Sequence, residues 1–231
     1  MAKPEDDGLS PTFEGQGLHA AGLALLLAAC AGASQLPQVR QGQLWGIGAV
    51  GWLWISIFAA VALQVYVWLC WRLELYRSYL SRLLGRRAFG LYARGFTILG
   101  FARIASVFLL AFVNRGSIAD ELLSMKIAAV ILLIPALYLF YSVGRYFTFA
   151  RAFGSDHFDA SVRVLPLVRE GIFRLTPNAM YVFGFFLLWV PGLWWASAAG
   201  LVSGAFNHLY IWLHYYATEL PDMRRMYSPR R

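Results

Sequence analysis

The sequence predicts an all-α membrane protein, a polytopic helix bundle with about six spans. Of its 231 residues, 59% are hydrophobic and only 14% are charged, whereas soluble proteins are nearer half apolar and a quarter charged. The mean hydropathy is +0.56, and the apolar residues form long runs. In lipid, a single apolar run satisfies its own backbone hydrogen bonds only as a helix, since strands must close into a barrel. The composition excludes a disordered chain, a coiled coil and an ordinary soluble enzyme.

Six apolar segments are candidate spans, since about 20 helical residues cross the hydrocarbon core. The first four are separate runs. The last two are the halves of one long apolar stretch, which Pro191-Gly192 and several small residues interrupt. We expect these halves to form a short helical hairpin. The predicted spans are residues 17–34, 44–71, 96–113, 125–149, 180–197 and 198–216.

We predict a single membrane domain over residues 1–231, because six spans leave little chain for a separate soluble unit. Residues 1–16 form a polar, acidic tail without the basic region that precedes the apolar core of a signal peptide, so we expect no cleaved signal. Residues 17–140 supply helices without a recognisable motif. Residues 141–231 contain most of the polar side chains that could carry chemistry.

Lysine and arginine residues predict the orientation. With six spans, nearly all of them fall in the segments that share one side with the two termini, and Arg40, Arg115 and Lys126 fall on the other. This bias predicts cytoplasmic termini. The preference for arginine over lysine suggests a bacterial inner membrane protein. The net charge of +8 is then explained by topology and anionic lipid, and we expect no nucleic acid partner.

Metal and disulfide sites are not expected. Cys30 and Cys70 lie in apolar runs and show no spacing typical of a disulfide framework or a zinc site. Glycine pairs at GxxxG spacing allow close helix packing, either within the chain or between copies. The oligomeric state therefore stays open.

One polar segment resembles a known signature. Residues 171–181 are similar to the G-x-[YF]-R-x-x-R-[HN]-P-x-Y segment of small membrane methyltransferases, namely phospholipid N-methyltransferases and isoprenylcysteine carboxyl methyltransferases. Pro177 and Ala179 stand where this family has Arg and Pro, and Thr218-Glu219 resembles the family's acidic motif after the last span. The matching residues are Gly171, Phe173, Arg174, Asn178 and Tyr181.

The resemblance implies that residues 141–231 are a methyltransferase-like core with an S-adenosylmethionine site on the cytoplasmic side. Glu219 would face the positive charges of the cofactor, and aromatic or apolar side chains would hold its adenine. The sequence has no G-x-G-x-x-G motif after a strand, so we expect no Rossmann site. The implied cofactor-binding residues are Leu167, Val168, Gly171, Phe173, Arg174, Asn178, Tyr181 and Glu219.

The implied reaction is the displacement of the cofactor's methyl group by a membrane lipid. A protonated amine cannot attack, so an amine acceptor needs a base. His214 and Glu219 are the candidate catalytic residues, with Asp156 and His157 behind them. His208 is more simply a packing residue.

The acceptor implied first is phosphatidylethanolamine or its methylated derivatives, because the Asn-x-Met-Tyr variant looks more like the phospholipid branch. An isoprenylcysteine- or thiol-type methyltransferase of the same family is an alternative. An NADPH-dependent sterol-reductase-like enzyme would need an Asn-Pro-x-Tyr-x-Gly-Glu segment, which we do not find. A transporter or scaffold is a further alternative, although no internal repeat is evident. Arg103, within the third span, is a costly charge whose role stays open.

Overall fold

The N-terminal part of the chain contains three long helices and a small hairpin. The computed structural model describes residues 11–118 and 122–227, so residues 1–10 of the predicted polar tail lie outside the described residues. A single 3-10 turn, Pro11–Phe13, precedes the first helix. The elements that follow are α1 (Gln16–Ala33), β1 (Gln43–Leu44), β2 (Ile47–Gly48), α2 (Ala49–Arg77), α3 (Tyr79–Leu84) and α4 (Ala88–Val113). The two strands pair antiparallel.

The C-terminal part begins with one long helix and continues in shorter pieces. Turns of 3-10 or π type separate several of these pieces, notably the π turns Val143–Phe147 and Tyr215–Glu219. The α-helices are α5 (Leu122–Ser142), α6 (Phe149–Ala152), α7 (Ala160–Arg163), α8 (Ala179–Phe183), α9 (Val190–Trp194), α10 (Ala198–His214) and α11 (Leu220–Tyr227). The described residues therefore form an all-α membrane bundle apart from the two-stranded hairpin.

Four helical segments among the described residues are long and apolar enough to cross a membrane. They are Pro11–Ala33, Ala49–Arg77, Tyr79–Val113 and Leu122–Phe147, and they confirm the first four predicted spans. The third is longer than predicted. Arg94 and two glycines lower the mean hydropathy of the residues just before position 96, so the sequence did not predict them as part of the span, although Tyr92 is buried there.

The fifth predicted span, residues 180–197, is not one regular helix. It consists of α8, a 3-10 segment at Gly184–Leu188 and α9. Pro191 lies in the first turn of α9, where its missing N–H breaks no helical hydrogen bond. These pieces and α10 are shorter than the four candidate spans, so the total of six spans stays a prediction.

The last two apolar segments nevertheless lie against each other, as the hairpin prediction expects. Gly192 and Gly200 approach so closely that a Cβ on Gly200 would lie 2.9 Å from the Cα of Gly192. A Cβ on Gly204 would lie 3.1 Å from the carbonyl oxygen of Leu188. The glycine pair of α10 therefore serves packing within the chain.

One asparagine joins several elements at the end of the bundle where α4 stops. The side-chain amide of Asn114 donates to the carbonyl oxygens of Gln38 (2.8 Å) and Gln41 (2.7 Å). Its Oδ1 accepts from the hydroxyl of Ser197 (2.9 Å) and from the backbone N–H of Ala199 (2.8 Å). Asn114 is buried together with Ser197 and Ala199, so these polar groups satisfy one another inside the bundle.

Replacing Asn114 by Ala should therefore destabilise the bundle. Several buried partners would lose their hydrogen bonds at once, and we expect the free energy of unfolding to fall by about 3 kcal/mol. Unfolding of the purified protein by SDS in mixed micelles measures this loss. Gln35→Ala is the matched control because Gln35 is exposed in the neighbouring loop. Equal stability of the two variants would contradict the role assigned to Asn114.

Candidate active site

A cavity of about 450 Å³ lies between α2, α4 and α5 on one side and the elements from α8 to Glu219 on the other. Most of its wall is aliphatic or aromatic, as in small-molecule sites generally. Its polar lining side chains include Gln64, Thr97, Arg103, Tyr181, His214 and Glu219. The last three are residues that the sequence predicted for catalysis or cofactor binding.

Tyr181 and Glu219 meet at one end of this cavity. The hydroxyl of Tyr181 donates to Oε2 of Glu219, although the two residues are 38 positions apart. The ring of Tyr181 packs against Tyr215, with ring centroids 5.2 Å apart. Glu219 ends the π turn that follows α10, and such turns are frequent at functional sites. The two halves of the predicted motif are therefore in direct contact.

The environment of Glu219 suits a group that changes its protonation near neutral pH. Glu219 lies beyond the last residue of α10. Burial raises the pKa of Glu219 to about 7, although the hydrogen bond from Tyr181 opposes this change. A carboxyl group with this pKa acts both as a proton acceptor and, when ionised, as a partner for a cation.

His214 presents unpaired nitrogen atoms at the cavity. It is the last residue of α10 and is 1% exposed. Among the described residues, neither of its ring nitrogens has a hydrogen-bond partner. A buried polar atom without a partner is costly, so a bound ligand or water in the cavity would satisfy it. The position agrees with a ligand contact at this histidine, and its role as a base stays a prediction.

A buried ion pair holds the segment that carries Glu219. Nε of Arg72 donates to Oδ2 of Asp222 over 2.8 Å, and both side chains are fully buried. Arg72 also donates to the carbonyl oxygen of Thr218 over 3.0 Å, and Tyr76 donates to Oδ1 of Asp222 over 2.7 Å. Arg72 thereby fixes the π turn and α11 against α2. The sequence analysis explained Arg72 by topology alone and missed this pairing.

His157 and Asp156 lie beside this ion pair and are not lining residues of the cavity. The ring of His157 stacks on Trp71 with centroids 4.1 Å apart. Its Nδ1 is 3.0 Å from Oδ1 of Asp156, and its Nε2 is 3.8 Å from Oδ2 of Asp222. Burial opposes the charge, but the two carboxylates outweigh it and raise the pKa of His157. The pair therefore belongs to the charge network behind the site.

The other predicted cofactor-binding residues lie outside the cavity. Leu167 and Val168 line a second recess, of about 480 Å³, together with Arg145, Arg151 and Arg169. The structure does not bring these two residues to Tyr181 and Glu219. Their role stays a prediction.

The segment before α8 supports the site from behind. Phe173 is buried and stacks on Phe147, with centroids 5.1 Å apart. Gly171 has a φ of +56°, and a Cβ there would lie 2.6 Å from Oγ of Ser142. The carbonyl oxygen of Asn178 accepts from the N–H of Tyr181 over 3.0 Å, whereas Arg174 is exposed. None of these four residues lines the cavity, and their part in cofactor binding stays a prediction.

A comparison with known families bears on the segment that contains these residues. Residues 124–230 match the family model described as phospholipid methyltransferase. The resemblance predicted from residues 171–181 is thereby confirmed. No curated protein and no solved structure matches the chain.

The segment that matches the family model does not include the whole site. It contains Tyr181, His214 and Glu219, but Gln64 and Arg103 belong to α2 and α4, which precede the match. The sequence analysis missed Gln64, because a single amide in an apolar run carries no motif. Within the described residues, no group of three or more His, Cys, Asp or Glu side chains could hold a metal ion.

The ion pair between Arg72 and Asp222 predicts that the stability losses caused by replacing these two residues are strongly coupled. Arg72→Met or Asp222→Leu alone leaves one buried charge unpaired and should cost about 3–5 kcal/mol. The double variant should cost much less than the sum, since both charges are gone. SDS-induced unfolding of the three variants measures this coupling. The exposed pair of Glu14 and Arg225 is the matched control, for which we expect almost none. Additive losses at Arg72 and Asp222 would contradict the assignment.

His157 predicts a pH dependence of stability. Because its pKa in the folded chain is raised above 6.5, its contribution is complete below that pH and is lost as the pH rises through the folded pKa. We expect the stability of the wild type to fall more steeply above pH 6.5 than that of His157→Gln. Thermal unfolding at a series of pH values measures both curves. Parallel curves would show that His157 carries no such charge, since Glu219 titrates in both proteins.

Proposed function

We propose that this chain is an integral membrane methyltransferase that uses S-adenosylmethionine to methylate the amine of phosphatidylethanolamine or of its methylated derivatives. One observation carries the proposal: a phospholipid methyltransferase domain contributes Tyr181, His214 and Glu219 to an apolar cavity that is shared with membrane helices. The description of the matched family favours the phospholipid acceptor over an isoprenylcysteine or thiol acceptor.

The residues of the cavity fit the cofactor. Bound S-adenosylmethionine supplies a methyl group on a positively charged sulfur. Glu219, held by Tyr181, offers an anionic partner for positive charge, and the unpaired nitrogens of His214 offer a further polar contact. The apolar wall excludes water, which strengthens these interactions and protects a reactive methyl donor.

The chain's own residues would orient the acceptor and accept its proton. An ammonium group that enters the apolar cavity loses hydration, and this lowers its pKa. Glu219 would accept the proton, because burial raises its pKa to about 7, and the ring nitrogens of His214 would hold the amine in place. The rest of the rate enhancement comes from holding the amine in line with the methyl group.

We infer the membrane orientation from the side on which the cofactor must enter the cavity. The cavity end with Tyr181 and Glu219 lies next to α11, and S-adenosylmethionine is made in the cytosol. Both termini would then be cytoplasmic, as the arginine distribution predicts, and a bacterial inner membrane is the expected location. Leu167, Val168 and Arg174 would face the same side, where the arginine-rich recess lies.

The test is methyl transfer by the purified protein to lipid vesicles. With labelled S-adenosylmethionine, label should appear in phosphatidylethanolamine and its methylated products. A thermal shift with S-adenosylhomocysteine and none with NADPH would separate the proposal from a reductase. Label that appears only in protein or in small thiols would reject the phospholipid acceptor.

Glu219→Gln should weaken binding of the charged cofactor selectively. The variant keeps the shape of the side chain but loses its charge, so we expect the Kd of S-adenosylmethionine to rise about 10- to 100-fold. S-adenosylhomocysteine, whose sulfur is neutral, should lose less affinity. Isothermal titration calorimetry measures both ligands. Glu14→Gln, at an exposed carboxylate, is the matched control, and an unchanged Kd in Glu219→Gln would remove Glu219 from the site.

A further inference from the structure

Arg103 is a buried cation in the wall of the cavity, and it has no anionic partner in the part of the chain that the structure describes. It lies within α4 and is 5% exposed. Its Nε donates to Oδ1 of Asn207, and its Nη2 donates to the carbonyl oxygen of Asn207 over 3.4 Å. Its guanidinium group lies over the ring of Phe185, with the central carbon 4.7 Å from the ring centroid. In residues 11–118 and 122–227, no carboxylate lies within 4.0 Å of it.

These contacts do not compensate the charge of Arg103. A guanidinium group has five N–H donors, and Asn207 accepts from two of them. The remaining donors have no acceptor among the described residues, and Arg103 is a lining residue of the cavity. A charge at this depth in a membrane helix normally faces a partner or a functional cavity. The site therefore has room and unused donors for an anion.

Gln64 adds a second polar group on the same wall. It lies in α2, is 4% exposed and lines the cavity. No hydrogen bond of its side-chain amide is found within the described part of the chain. A buried amide without a partner is as costly as other unpaired polar groups. Two helices outside the methyltransferase domain thus direct unpaired polar groups at one cavity.

We propose that Arg103 and Gln64 form the subsite for the phosphate group of the phospholipid acceptor. This inference rests on the proposed function and names the part of the acceptor that the N-terminal helices recognise. The planar fork of a guanidinium group matches the oxygen atoms of a phosphate. A bound phosphate would neutralise Arg103 and use its free donors, and the amide of Gln64 would donate to a further oxygen.

Arg103 and His214 both line the cavity. Asn207, which holds Arg103, precedes His214 by two turns of α10, or about 10 Å along the helix axis. The proposal therefore places the phosphate at Arg103 and directs the amine along α10 toward His214.

The acyl chains have an exit on the same side of the cavity. Phe101 of α4 and Phe140 of α5 line the cavity and are also exposed on the membrane surface of the bundle, by 73% and 42%. An opening between α4 and α5 would let the chains remain in the bilayer. Arg103 and Phe101 both line this cavity, so the phosphate and the acyl chains would share it.

Comparing acceptors with and without a phosphate tests the subsite. We expect Arg103→Gln to raise the KM for phosphatidylethanolamine about 10- to 100-fold and to leave the KM for a long-chain primary amine almost unchanged. Arg103→Lys should raise this KM less, because lysine keeps the positive charge although it lacks the paired N–H donors of a guanidinium group. Gln64→Leu should shift the KM in the same direction by a smaller factor. Arg115→Gln, at an exposed arginine beyond the cavity, is the matched control.

The other outcomes overturn the proposal. Equal losses for both acceptors would assign Arg103 a structural role, and a raised Kd for S-adenosylhomocysteine would assign it to the carboxylate of the cofactor. If the wild type methylates no lipid, the proposed function fails, and native mass spectrometry then tests the subsite separately. In that measurement Arg103→Gln should lose bound phosphatidylethanolamine but not bound diacylglycerol. Equal retention of phosphatidylethanolamine by variant and wild type would reject the subsite.

Discussion

The ion pair between Arg72 and Asp222 is the constraint on which the site depends. It joins the end of α2 to α11, and both side chains are fully buried. Through its bond to the carbonyl oxygen of Thr218, Arg72 also holds the π turn that ends at Glu219. The position of Glu219 relative to Tyr181 therefore depends on a residue that lies outside the segment that matches the family model.

Burying two charges costs desolvation free energy, and this cost explains the hydrogen bonds that surround the pair. Two buried charges repay their desolvation only if further hydrogen bonds satisfy them. Tyr76 donates to the free oxygen of Asp222, and Pro11 and Thr218 accept from Arg72. Replacing the pair by apolar side chains would cost little stability, but apolar contacts are not directional. The ion pair fixes the register of α11 on α2, and the register sets the place of Glu219.

The sequence predicts well what local patterns encode. Hydropathy identified four spans, and the motif identified Tyr181 and Glu219, which are in contact across 38 residues. The break in the fifth predicted span was harder to predict, because residues 183–195 are apolar throughout. The helix type changes at Gly184 and again near Pro191, and hydropathy does not show these changes. Arg72 and Asp222 are separated by 150 residues. No periodicity links such a pair, so sequence reasoning could not find it.

The boundary of the family match and the boundary of the site are different. The segment that matches the family model begins in α5 and supplies part of the cavity lining, and α2 and α4, which precede the match, supply the rest. Tyr181, His214 and Glu219 lie in the matched segment, whereas Arg103 and Gln64 belong to the helices that precede it. Because an unpaired cation in an apolar cavity is costly to the fold, its presence there is best explained by an anion that the fold is built to receive.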